Sequence, residues 1–181
     1  MTPERRSEPL LGWRVWRVVG DALHAAVWAA EWPARLRLVA DCYDTRPAAH
    51  VSPDRDCECG VYAFKRREDA ELLAREKVDR DVLALGRVSL WGRVIETERG
   101  FRAERAYPYD LLLLGGDERL ARALRSRYAI DVELGVPPEP LHTGAGLRSE
   151  PGRSPKSRSA RVRPGRPARI SAVWAHVPTN S

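Results

Sequence analysis

Residues 82–96 carry the strongest folding signal in this chain, a strand-like alternation that continues through the whole segment. Even positions from 82 to 94 hold only apolar residues and glycines, so one face of the strand is suited to a core. Gly86 and Gly92 lie on that face, where strand glycines usually mark a bend or a bulge. Residues 98–100, Glu-Arg-Gly, predict a tight turn, and residues 101–107 alternate again. The pattern predicts a long, bent antiparallel hairpin that forms the centre of the fold.

The segments that flank this hairpin predict further strands, at residues 13–19, 24–30, 36–42 and 60–65. The alanine-rich segment 22–30 is also compatible with a helix, and periodicity does not decide between the two. Apolar residues at helical spacing predict one helix over residues 68–78 and another after Asp117, which is a good N-cap residue. Pro108 is expected to end the returning strand of the hairpin.

Together these segments predict an α+β fold, with a mostly antiparallel curved sheet or small half-open barrel and two short helices. Residues 12–136 are expected to form the single globular domain, preceded by a loose lead-in over residues 1–11. Residues 137–181 are rich in proline, serine and arginine. Such a segment has too little apolar surface to fold by itself, so we expect a basic disordered tail.

The charge of the chain points to the tail as a binding segment for polyanions. The formal net charge is +6, and this basic excess belongs to the tail, whereas the remainder of the chain is formally neutral. Arginine-rich segments bind phosphates without reading sequence, so nucleic acid is the partner that the tail suggests. The alternative is a solvated tail that binds nothing specific. The residues expected to contact a polyanion are Arg158, Arg161, Arg163, Arg166 and Arg169.

Three cysteines and a histidine are concentrated in one part of the chain, at Cys42, His50, Cys57 and Cys59. Three thiolates and one imidazole are a permitted ligand set for zinc, although a single residue between Cys57 and Cys59 is an unusual spacing. A turn there would be needed to direct both sulfurs to one ion. Two alternatives remain open: buried and turn-forming cysteines without a metal, or a nucleophilic thiol paired with His50. The acidic residues around the Cys-Glu-Cys stretch disfavour the nucleophile.

The tryptophans suggest a second kind of site, an aromatic surface for a planar ligand. Trp91 shares a predicted strand face with Arg87 and Arg93, and Arg102 follows in the returning strand. Trp16 is the other tryptophan that we assign to this surface. The alternative is that the tryptophans pack in the core, since Trp13 and Trp16 should point to opposite faces of their strand.

Several classes of protein are disfavoured by the sequence. The longest apolar run is far short of the ~20 residues that cross a membrane, and the first residues lack the apolar segment of a signal peptide. We therefore expect a cytoplasmic protein with reduced thiols and no membrane association. Known nucleotide-binding, hydrolase and metalloprotease motifs are missing, which removes the recognisable enzyme classes but does not by itself exclude an enzyme.

Three stretches of the chain resemble a group of small bacterial proteins, common in actinobacteria, for which no function is assigned. The first is the opening strand, Trp-Arg-Val-Trp-Arg-Val at residues 13–18. The second is Cys-Glu-Cys-Gly-Val-Tyr-Ala at 57–63, similar to a C-x-C-G-[VI]-Y-A motif. The third is the hairpin over residues 86–108, with its G-x-V-x-L-W-G-x-V motif. The resemblance covers residues 12–114 and implies no catalytic residue.

From these observations we expect a non-enzymatic binding module with an aromatic and arginine-lined surface and a basic tail for polyanions such as nucleic acid. The alternative is a small zinc-stabilised structural or adaptor domain. The first reading needs no cofactor, and the second needs zinc.

Overall fold

A computed structural model describes residues 4–27, 30–42, 50–77 and 82–140 of the chain. This part of the chain contains seven strands and two helices. In chain order they are β1 (Glu4–Val19), β2 (Ala22–Ala25), β3 (Leu38–Val39), β4 (Val61–Phe64), α1 (Arg67–Lys77), β5 (Val82–Glu96), β6 (Gly100–Leu114), α2 (Glu118–Tyr128) and β7 (Asp131–Gly135).

Strands β5 and β6 form the central hairpin that the alternation predicts. They pair antiparallel over most of their length, and the even positions of β5 from 84 to 94 are buried. The register shifts directly after Arg87 and again between Trp91 and Val94. These irregularities coincide with the two strand glycines, since Gly86 comes just before the first and Gly92, with φ at 79°, lies in the second. The hairpin is therefore bent where the glycines predict it.

The other strands attach to the two outer edges of this hairpin. Strand β1 pairs with β5, and β2 pairs with β1. Along its other edge, β6 pairs in turn with β4, β3 and β7. Because β4 also pairs with β1 through Phe64 and Trp13, the sheet curves into a partial ring. The predicted α+β fold with a mostly antiparallel curved sheet is confirmed, with β7, which runs parallel to β6, as an unpredicted addition.

The main core lies between the sheet and helix α2. Trp16 and Tyr128 are completely buried there, and Trp32 packs edge to face against Trp16 with 5.4 Å between ring centroids. Helix α2 begins at its predicted N-cap, where the Asp117 side chain accepts a hydrogen bond from the backbone N–H of Leu120. Its buried face carries the residues that the sequence pattern assigns to it, among them Tyr128.

Helix α1 covers a second, smaller apolar cluster. Ala70 and Ala74 pack there with Val15 and Leu85. Helices α1 and α2 each contain 11 residues, and among the described residues no helix has the length and apolar character that crossing a membrane requires.

Three local predictions are wrong. Residues 4–11 are part of β1 rather than a loose lead-in, because they continue its pairing with β5 as far as Glu4 opposite Val94. Pro108 does not end its strand. It sits opposite Val88 beside a register shift, a position where the missing N–H of proline is tolerated. Among the described residues of the predicted strand 24–30, only His24 and Ala25 lie in a strand, at the end of β2.

Candidate metal centre

The loop between β3 and β4 contains the three cysteines and His50. Cys42 follows β3 closely, and Cys59 lies just before β4. Both strands pair with neighbouring parts of β6, and the backbone N–H of Ala40 donates to the carbonyl of Glu104 on the same strand at 2.8 Å. Because both ends of the loop are attached to one strand, Cys42 near its first end and Cys59 near its last end lie close together.

The four side chains converge on one point. The ligand atoms of Cys42, His50, Cys57 and Cys59 all lie within 4.8 Å of one another, and each residue is partly buried. The sulfurs of Cys42 and Cys57 are 3.6 Å apart, and Nε2 of His50 is 3.3 Å from the sulfur of Cys59. Tetrahedral zinc with Zn–S bonds of ~2.3 Å places its sulfurs about 3.8 Å apart. The four atoms are thus close to the arrangement that such an ion requires.

A turn at Gly60 resolves the unusual spacing of the two nearby cysteines. Cys57 and Cys59 lie in a non-strand segment, so the separation of alternate side chains along an extended strand does not apply. Gly60 has φ at 127°, a conformation that side chains disfavour. A Cβ atom at this position would lie 3.0 Å from Cβ of Pro53 and 3.1 Å from Cβ of Arg102. Glycine therefore allows the loop to approach β6 closely.

Arg102 holds the Cys-Glu-Cys segment against the sheet. From β6, its Nη1 donates to the backbone carbonyls of Cys57 and Cys59, the latter at 3.3 Å. The side chain is only 9% exposed. None of the described carboxylates forms an ion pair with it within 4.0 Å. A buried guanidinium is costly without a compensating negative charge, so this position favours a negatively charged loop.

Arg93 makes a second connection between the hairpin and the loop. Its Nη1 donates to the carbonyl of Val51, next to His50, at 3.2 Å. Its backbone N–H donates to the carboxylate of Glu104 at 3.0 Å, inside the β5–β6 bulge. The bulge therefore helps to position the histidine side of the loop.

The two closely spaced thiols have different acidities. Burial raises the pKa of Cys57 to about 11. Burial acts in the same direction on Cys59, but the nearby Ser52 hydroxyl, the backbone of Asp54 and His50 outweigh it and lower the pKa of Cys59 to about 7. A thiol beside a histidine is also what a nucleophilic cysteine needs. The convergence of two more sulfurs on the same point favours a metal over that alternative.

The five residues assigned to an aromatic and arginine-lined surface lie in different surroundings. Trp16 is buried in the core, and Arg102 and Arg93 hold the cysteine loop. Arg87 forms an ion pair with Asp110 and lies over the ring of Tyr109, 4.7 Å from its centroid. Trp91 is half-buried opposite Arg105 on β6. The residues assigned to polyanion binding, Arg158, Arg161, Arg163, Arg166 and Arg169, lie outside the described residues.

The sequence analysis missed the residues that support the cysteine loop. Arg102 and Arg93 are recognisable from sequence as arginines of a β-hairpin, but their targets are backbone carbonyls 43 and 42 positions away. Among the supporting residues, only Gly60 had a local sequence pattern that could have revealed its role, because it is a glycine directly after the second cysteine. No local pattern distinguishes Glu104.

Comparison of the chain with protein-family models, with curated proteins and with solved structures finds no match. The resemblance to a group of actinobacterial proteins accordingly stays a prediction.

Proposed function

We propose that this domain binds one zinc ion through Cys42, His50, Cys57 and Cys59, and that the ion fastens the β3–β4 loop to the sheet. The observation that carries the proposal is the convergence of these four ligand atoms to within 4.8 Å of one another. They come from three separate parts of the β3–β4 loop, whose described residues contain no helix or strand. Cross-linking such a loop is the usual role of a structural zinc ion.

The donor set supports zinc over harder cations. Thiolate sulfur and imidazole nitrogen favour zinc and other soft or borderline ions, whereas calcium and magnesium prefer oxygen ligands. Four protein ligands also fill a tetrahedral ion completely. A closed site of this kind leaves no position for substrate, which is typical of structural rather than catalytic zinc.

Charge balance around Arg102 gives independent support. A divalent ion with three thiolates and one neutral imidazole carries a net charge of about −1. Arg102 is bonded to the carbonyls of two of the cysteines and is nearly buried. Its positive charge would neutralise the loaded site, whereas three neutral thiols would leave the guanidinium without an ion-pair partner among the residues that the structure describes.

The domain is therefore best described as a small zinc-stabilised structural or adaptor domain. Zinc content of the full chain, purified without chelator, tests this directly. We expect one zinc per chain by elemental analysis and native mass spectrometry, and a lower melting temperature after chelation.

A matched pair of histidine variants separates ligation from general destabilisation. His50→Gln should lose most of the bound zinc, whereas His24→Gln should retain it, because His24 lies on β2 opposite Arg17. A folded wild-type chain with a zinc content near zero would contradict the proposal.

A further inference from the structure

We propose that Cys42 and Cys57 are a redox-sensitive pair, which a peroxide converts to a disulfide with release of the bound ion. The release step rests on the proposed zinc site, whereas the disulfide itself does not. The geometry points to this pair because the two sulfurs are already 3.6 Å apart. A disulfide needs about 2.05 Å between its sulfurs, so a small movement of partly exposed side chains would complete the bond.

Two close contacts can be distinguished among the four ligands. One joins the sulfurs of Cys42 and Cys57, and the other joins Nε2 of His50 to the sulfur of Cys59 at 3.3 Å, while the side chains of Cys57 and Cys59 also interact with each other. Cys59 is engaged by the histidine and follows Cys57 after a single residue. A bridge between those two neighbours would have to distort the backbone that Arg102 holds through both carbonyls. Cys42 approaches from the other end of the loop, so it can reach Cys57 without that distortion.

The reaction proceeds in two displacement steps. In the first, one sulfur of the pair attacks an oxygen of hydrogen peroxide, so an S–O bond forms, the O–O bond breaks and hydroxide leaves. In the second, the other sulfur attacks the sulfenic sulfur, so the S–S bond forms and the S–O bond breaks, again releasing hydroxide. The two sulfurs lose two electrons in total and the peroxide gains them. Two protons, from the thiols or from solvent when the sulfurs are metal-bound thiolates, convert the hydroxides to water.

Loss of two ligands removes the ion without changing its oxidation state. Disulfide sulfur does not replace a thiolate as a zinc ligand. Only His50 and Cys59 would remain, and two ligands are too few for a structural zinc site. The pair would thus make the fastening of the β3–β4 loop sensitive to peroxide, and reduction of the disulfide would restore the complete ligand set.

The test is peroxide treatment of the full-length, zinc-loaded chain, with released zinc followed by a chromophoric chelator and disulfides mapped by mass spectrometry. We expect release of one zinc per chain, together with a Cys42–Cys57 cross-linked peptide that is about 2 Da lighter than the two reduced peptides. A thiol reductant should remove the cross-link and allow zinc to rebind.

Two variants keep the result interpretable if zinc binding is weakened. Cys59→Ser should still form the Cys42–Cys57 cross-link, even in zinc-free protein, whereas Cys42→Ser should lose it. A dominant bridge to Cys59, or oxidation to sulfinic acid without a bridge, would overturn the inference while leaving a measured zinc content intact. Absence of zinc together with a Cys42–Cys57 bridge would instead overturn the proposed function and the release step.

Discussion

The side chain of Arg102 reaches across from β6 to donate a hydrogen bond to the backbone carbonyl of Cys59 at 3.3 Å. The same Nη1 atom also donates to the carbonyl of Cys57. A single buried side chain thus fixes the backbone on both sides of the Cys-Glu-Cys turn. Its contribution should be measurable both as loop stability and as metal affinity.

Replacing Arg102 by methionine should lower the zinc affinity of the chain. Removal of an outer-shell group of this kind typically costs 10–100-fold in metal affinity, roughly what we expect for Arg102→Met. Competition with a chelator of known affinity measures the change. Arg87→Met is the matched control, because Arg87 belongs to the same hairpin but forms its ion pair with Asp110 rather than with the cysteine loop. Equal losses in the two variants would argue against a specific role for Arg102.

Substituting Gly60 should destabilise the domain more than substituting another glycine of positive φ. In Gly60→Ala, the new Cβ would lie 3.0 Å from Cβ of Pro53, and the backbone would remain at φ 127°. We expect a cost of about 2–4 kcal/mol in the free energy of unfolding. Gly20 has φ at 61° but open space around it, so Gly20→Ala should cost only about 1–2 kcal/mol. Urea unfolding of both variants measures the two free-energy changes. Equal losses would show that the contact of the new Cβ atom with Pro53 adds nothing to the cost of the positive φ.

The hydroxyl of Tyr128 joins two parts of the chain inside the core. It accepts a hydrogen bond from the backbone N–H of Leu23 at 2.8 Å and donates to the carbonyl of Trp32 at 3.1 Å. Tyr128→Phe would leave both backbone groups unpaired in a buried position, at a cost of about 1–3 kcal/mol. Tyr109→Phe should change the free energy of unfolding by less than about 0.5 kcal/mol, because Tyr109 is half exposed. Thermal unfolding of both variants measures the difference. Similar decreases in melting temperature for Tyr128→Phe and Tyr109→Phe would contradict the role given to the Tyr128 hydroxyl.

Asp69 should make the stability of the domain depend on acidic pH. The carboxylate is 8% exposed and accepts hydrogen bonds from Arg66 of the preceding loop and from Arg99 in the hairpin turn, the latter at 3.0 Å. Burial acts to raise the pKa of Asp69, but the two arginines outweigh it and lower the pKa below its ordinary value.

Since the folded state binds this proton less readily than the unfolded state, Asp69 stabilises the fold above the unfolded pKa of about 3.9. That stabilisation should disappear as the pH falls through the lower, folded pKa. Unfolding free energies measured from neutral pH downward should decline less steeply in Asp69→Asn than in the wild type. Parallel curves for the two proteins would show that Asp69 does not contribute.

The central hairpin could be predicted because its information is local. Alternation along β5, two glycines on one face and the Glu-Arg-Gly turn are all visible within residues 82–107. Helix α2 was predictable for the same reason, through Asp117 and its apolar spacing. Strand β7 and the N-terminal part of β1 were not, because their pairing with β6 and β5 depends on segments far away in the sequence.

For the candidate site, the ligand types and their grouping follow from the amino-acid sequence. Cys42, His50, Cys57 and Cys59 were recognisable as a permitted zinc set from their chemistry alone. Their meeting at one point depends on the folded chain, because β3 and β4 both pair with β6 and so bring the two ends of the loop together. The role of Arg102 depends on the folded chain too: side chains that donate to distant backbone carbonyls leave no pattern in the sequence, since every residue presents the same carbonyl group.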